Sequence, residues 1–94
     1  MSSAPSAARP AAGLLLLVRE ECELCEQMSA ALARIARQSA LPPILTADVD
    51  SDALWRRRYG LKVPVLLLDG SPVCHTRLDE QALLRALRRR HDRL

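Results

Sequence analysis

Five consecutive aliphatic residues, Leu14-Leu15-Leu16-Leu17-Val18, give way within a few positions to a helical repeat, and that junction constrains the fold more than any other stretch of the chain. A run this short, opened by Gly13, reads as a buried strand of the kind found in parallel sheets. Beyond it Leu24, Met28, Leu32 and Ile35 recur at helical spacing, with Ala31 and Ala36 widening the same apolar stripe. The chain therefore opens as strand, then helix.

Cys22 and Cys25 fall at that junction, in Arg19-Glu20-Glu21-Cys22-Glu23-Leu24-Cys25. Unpaired backbone N–H groups and the positive end of the helix dipole favour an anion in the first turn, and a thiolate is an anion. The thiolate is the species that attacks a disulfide, and Cys25, one helical turn along, can resolve the mixed disulfide that forms. A redox dithiol is the leading reading. The same spacing also serves half of a zinc or iron–sulfur site, for which Cys74 and His75 are the other soft ligands, or two inert cysteines in a helix. As a small apolar residue in a strand Cys74 needs no role; as a third thiol it can be glutathionylated or join two chains. His75 is read as a residue without a role, a proton relay being the alternative.

Downstream signals continue the alternation. Pro42-Pro43 ends the first helical region, and Ile44 to Val49 reads as a second strand. Asp50 or Ser51 is expected to cap a short helix through Trp55 and Tyr59, stopped by Gly60 in a left-handed conformation. Two strands joined through a helix run parallel. Val63 to Leu68 is the third strand, and the Asp69-Gly70 turn leads antiparallel into Ser71 to His75. Pro72 cannot donate to a ladder, which places this fourth strand at the sheet edge. Asp79 caps a last helix carrying Leu83, Leu84 and Leu87 inward.

A chain of 94 residues has room for one small domain and a single core. Only Trp55 and Tyr59 are aromatic, so that core is aliphatic. Three cysteines are an odd number, whereas a stapled secreted domain is expected to pair an even one, and the expectation is a cytoplasmic protein. No stretch approaches the roughly 18 to 20 apolar residues of a membrane helix, so no membrane association is predicted. Residues 1–13, rich in Ala, Ser and Pro, lack the basic start of a secretory signal and are expected to form a disordered leader ahead of a domain over 14–94. The net charge of +3 includes Arg56-Arg57-Arg58 and Arg88-Arg89-Arg90. Without interleaved aromatic residues these read as solvated helix faces, and no nucleic-acid partner is predicted.

A mixed four-stranded sheet flanked by three helices, βαβαββα, with a dithiol after its first strand resembles the thioredoxin superfamily, from Leu14 to the C-terminus. Cys22-Glu23-Leu24-Cys25 and Val63-Pro64 carry the likeness. Asp48-Val49-Asp50 and Tyr59-Gly60-Leu61-Lys62-Val63-Pro64-Val65 make the chain similar to small bacterial glutaredoxin-like proteins within it. The resemblance implies a cis bond before Pro64, with the proline packed against the dithiol. It implies thiol–disulfide exchange on protein or low-molecular-weight disulfides, with Cys22 as nucleophile, Cys25 as resolving thiol and Pro64 shaping a groove beside Val63. No bound cofactor is expected. Glutathione as co-substrate is left open, an electron-donating reductase is the expected partner, and a monomer is the expected state.

Several positions depart from the glutaredoxin pattern. Glu23 and Leu24 replace a proline and an aromatic residue, and Glu20 and Glu21 stand upstream where a basic residue is typical. Negative neighbours disfavour a second negative charge, so Cys22 is expected to be less acidic than the corresponding glutaredoxin thiol. The Gly-Gly-x-Asp-like turn that holds glutathione is not evident in Cys74 to Asp79, where Arg77 stands instead; Arg77 can still pair with a carboxylate. Lys62, beside the proline loop, is the basic group placed to face the dithiol. Two other classes stay open: a redox-inert binding module whose groove recruits a partner, and a metal carrier built from two dithiols across a dimer.

Overall fold

The computed structural model describes residues 12–92. The proposed leader lies outside the described residues except for Ala12 and Gly13. Gly13 is buried and belongs to the domain: its N–H donates to Asp69 Oδ1 at 2.7 Å and its carbonyl accepts the Asp69 N–H at 2.9 Å. At φ +90°, with a Cβ that would stand 3.3 Å from the Pro43 carbonyl oxygen, this position suits glycine alone.

The order is β1 (Leu14–Val18), α1 (Glu23–Gln38), β2 (Ile44–Asp48), a 3₁₀ turn (Val49–Ser51), α2 (Ala53–Tyr59), β3 (Val65–Leu68), β4 (Ser71–His75) and α3 (Glu80–Asp92). The strands lie in the order β2-β1-β3-β4, with β1 parallel to β2 and antiparallel to β3, and β3 antiparallel to β4. The expected βαβαββα architecture, a thioredoxin-like mixed sheet flanked by three helices, is the one observed.

The continuous apolar run of β1 follows from its central place. Leu14 and Leu16 join Leu66 and Leu68 on one face, under Met28 and Leu32 of α1 and Leu83 of α3. Leu15 and Leu17 join Val65 and Leu67 on the other, against Val49 and the partly buried Trp55 and Tyr59. Both faces of the strand are covered, so it shows no polar alternation. At roughly 1.5 to 3 kcal/mol for each fully buried aliphatic side chain, these two layers are the main favourable contribution to folding.

Local boundaries differ from the sequence reading in three places. β3 begins at Val65, two residues later than expected: Pro64 has no N–H to give the ladder. The cap of α2 is Asp52, and not Asp50 or Ser51: its Oδ1 accepts the N–H groups of Leu54 and Trp55 at 2.8 and 3.0 Å. Gly60 is right-handed at φ −57° and ψ −33°, not left-handed. Glycine is needed there for space, since a Cβ would lie 2.5 Å from the Arg56 carbonyl oxygen. Pro72 sits on the edge strand as expected, opposite Leu67 beside a break in register. No helix among the described residues is long and apolar enough to cross a membrane.

Candidate active site

Antiparallel pairing of Leu17 with Val65 places Pro64 one step further along, beside Val18 at the end of β1. The segment leaving β1 and the segment entering β3 therefore share one end of the sheet. Cys22 and the cis Val63–Pro64 bond, 42 positions apart in sequence, are brought to that end by the pairing alone.

Between β1 and α1 the chain turns through Glu21, whose φ of +54° is seldom occupied by a residue other than glycine. The turn delivers Cys22 as the N-cap of α1, one position ahead of the first turn where the sequence placed it. Its backbone is extended, at φ −119° and ψ 105°, and its carbonyl accepts the Glu26 N–H at 3.1 Å. Its sulfur accepts the Cys25 N–H, also at 3.1 Å, where a capping oxygen normally sits. That N–H and the helix dipole act on the same atom, and both favour negative charge on it.

Cys22 and Cys25 are joined as a disulfide, with Cα atoms 5.2 Å apart. The two sulfurs are not equivalent. Cys25 is buried at 4% exposure among the core residues, while Cys22 is partly exposed. A groove of about 250 Å³ opens onto both, floored by Leu16 and Thr46 and edged by Glu20, Glu21 and Glu26. Glu20 and Glu21, which the sequence marked as opposing a thiolate, thus line the approach to it together with Glu26, whereas Glu23 does not. Across α1, an opening of about 190 Å³ runs between Leu24, Gln27 and the Thr76 to Leu78 segment.

Of the other expected site residues, Pro64 is buried and its carbonyl accepts the Thr76 N–H at 2.8 Å. Val63 packs its side chain into the core layer under α2. Arg77 lies on the second opening, beside Leu24 and Gln27 of the cysteine helix. Lys62 is exposed, its N–H donating to Tyr59 O at 2.9 Å. Cys74 is half-buried on β4; burial pushes its thiol up, against the hydrogen bond from the Asp79 N–H. His75 is exposed, and its Nδ1 pairs with Thr76 Oγ1 at 3.0 Å. Among the described residues no group of three or more His, Cys, Asp or Glu side chains converges to hold a metal ion.

The sequence reading passed over Arg19, three residues before Cys22. Its guanidinium forks onto Asp50, with both N–O distances at 3.1 Å, and its third nitrogen donates to Gly60 O at 2.7 Å. Hydrogen bonding from Arg19 holds the Asp50 carboxyl below the usual carboxylate range, and Asp50 in turn raises Arg19. The one local signal was the basic residue three positions upstream of the dithiol, and its partners are 31 and 41 positions away.

Residues 13–88 match the family model described as the glutaredoxin-like domain (DUF836). The chain belongs to this glutaredoxin-like family. Among solved structures, the glutaredoxin-like domain is similar to protein Ne2328 from Nitrosomonas europaea, at 29% identity and a TM-score of 0.71, covering 79% of this chain and 88% of that one. It is also similar to the structural-genomics target protein XcR50 from X. campestris, at 36% identity and a TM-score of 0.58, covering 79% and 93%. A thioredoxin from Fasciola hepatica, at 17% identity and a TM-score of 0.51 over 84% and 83% of the two chains, shares the fold alone. The holo form of glutaredoxin C1 from Populus tremula x tremuloides does likewise, at 12% identity and a TM-score of 0.50 over 83% and 76%. No curated protein matches the glutaredoxin-like chain.

Proposed function

We propose that the protein is a cytoplasmic thiol–disulfide oxidoreductase that reduces protein or low-molecular-weight disulfides through Cys22 and Cys25. The observation that carries this reading is the asymmetry of the pair: Cys22 is open to a groove and capped by an N–H, while Cys25 is buried one turn behind it.

In the reduced protein, the Cys22 thiolate attacks one sulfur of a substrate disulfide. A Cys22–substrate bond forms and the other substrate sulfur leaves as a thiolate, taking a proton from water. Cys25, once deprotonated, attacks the Cys22 sulfur; the intramolecular disulfide forms and the second substrate thiol is released. Two electrons have then passed from the protein to the substrate. An external thiol, with glutathione the first to test, or an electron-donating reductase returns the pair to the dithiol. Pro64 and the backbone of Val63 form the wall along which an extended substrate segment lies; Lys62 adjoins it in the chain, Arg77 follows the Thr76 whose N–H bonds Pro64 O, and Arg19 lines the groove at Cys22.

Reduced wild-type protein is expected to reduce a protein disulfide reporter while gaining the Cys22–Cys25 bond, detected as a loss of two mass units. Cys22→Ser is expected to abolish turnover. Cys25→Ser is expected to stall as a mixed disulfide at Cys22, recoverable by mass. Full activity in Cys22→Ser rejects the assignment.

A further inference from the structure

Three chain segments meet at the dithiol end of the sheet, and one side chain touches all of them. Arg19 begins the β1–α1 segment that ends on Cys22. Its guanidinium fork holds Asp50 of the 3₁₀ turn after β2, and its remaining nitrogen holds the Gly60 carbonyl, four residues before Pro64. Within the segment from Gly60 to Val63 the Gly60 N–H donates to Arg56 O at 3.0 Å, the Lys62 N–H donates to Tyr59 O, and Val63 packs on the core, while the Gly60 carbonyl is where the dithiol segment reaches it.

We propose that Arg19 is a positioning residue, which sets the Val63–Pro64 wall against Cys22 by tying the dithiol segment to both Asp50 and Gly60. This rests on the exchange reading above and deepens it. Both members of the ion pair are 39% exposed. An exposed pair of this kind contributes little to stability, so the geometry of the fork, and not its energy, is what the arrangement supplies. A polypeptide substrate must meet the sulfur and the wall together, whereas a small disulfide needs only the sulfur. The two substrate classes should therefore respond differently when the tie is cut.

The experiment uses Arg19→Lys and Asp50→Asn. The first keeps the positive charge and loses the fork; the second keeps the arginine and removes a negative charge. An effect common to both cannot be one of net charge. For each, kcat/KM is measured with a polypeptide disulfide and with bis(2-hydroxyethyl) disulfide, and the amide exchange rate of Lys62 is compared with that of Leu14, whose N–H bonds Pro43 O at the far end of β1. The expected result is a loss of about 10- to 100-fold with the polypeptide, on the scale of a small misplacement of reacting groups. The small disulfide is expected to react as before, and Lys62 to exchange faster while Leu14 does not. Equal losses with both reporters, or an unchanged Lys62 amide, overturn the proposal. Should the wild type reduce neither reporter, the exchange reading fails, and Lys62 still decides whether Arg19 anchors the loop.

Discussion

At the scale of single residues, a sulfur atom stands where helix N-termini usually recruit oxygen, and two opposed influences act on it. The Cys25 N–H and the helix dipole stabilise negative charge on Cys22. Glu20, Glu21 and Glu26, all exposed and all on the groove, oppose it. Replacing these three with Gln should lower the titration midpoint of reduced Cys22, followed as thiolate absorbance against pH. The difference should shrink at high salt, since exposed charges are screened over about 10 Å at 0.1 M. No change at low salt would mean that water already masks the carboxylates. Cys74 supplies the contrast: burial raises its thiol, so the reduced protein should be alkylated at Cys22 well before Cys74, read by peptide mass. The dithiol and Val63-Pro64 were legible in the sequence because each is a short contiguous motif. The link through Arg19 was not, because local patterning carries no record of partners more than 30 positions away.

Among the elements, the long periodic ones were read closely and the short ones by their neighbours. Leu24, Met28, Leu32 and Ile35 announce α1, and three of them, Met28, Leu32 and Ile35, are buried. The run of three alternate aspartates, Asp48, Asp50 and Asp52, is harder. All three have capping chemistry, and burial separates them. Asp48 caps the 3₁₀ turn through the Asp50 N–H at 2.8 Å, Asp50 turns outward to Arg19, and Asp52, at 8% exposure, caps α2. Asp52→Ala should cost about 0.5 to 2 kcal/mol in denaturant unfolding, the usual range for a lost N-cap. In α3, Leu83 is fully buried between the helix and the sheet, but its neighbour Leu84, which the sequence also turned inward, lies about 100° round the helix and is 42% exposed. Leu83→Ala should cost about 2 to 5 kcal/mol, and Leu84→Ala no more than about 0.5. Similar losses for the two leucines would mean that α3 is not seated on the sheet as described.

On the scale of the whole molecule, the sheet carries a polar tie at each end, and the two have different work. Arg19 gathers three segments at the dithiol end. At the other end Asp69 gathers three more: it exchanges hydrogen bonds with Gly13 at the start of β1, takes φ +53° in the β3–β4 turn, and pairs with Arg90 of α3 at 2.9 Å. Gly13 is buried, so removing its acceptor strands a donor away from water, and Ala adapts poorly to a left-handed backbone. Asp69→Ala should therefore lower stability by about 1 to 3 kcal/mol. Asp69→Asn keeps the acceptor and tolerates the backbone, and should cost less, because the pair it loses is partly exposed. Both variants leave the Arg19 tie and the groove at Cys22 intact. Their kcat/KM with a polypeptide disulfide, measured well below the unfolding midpoint, should match the wild type. A fall in exchange rate without a fall in stability would show that the far end of the sheet communicates with the dithiol, and the division of labour between the two ties would not hold.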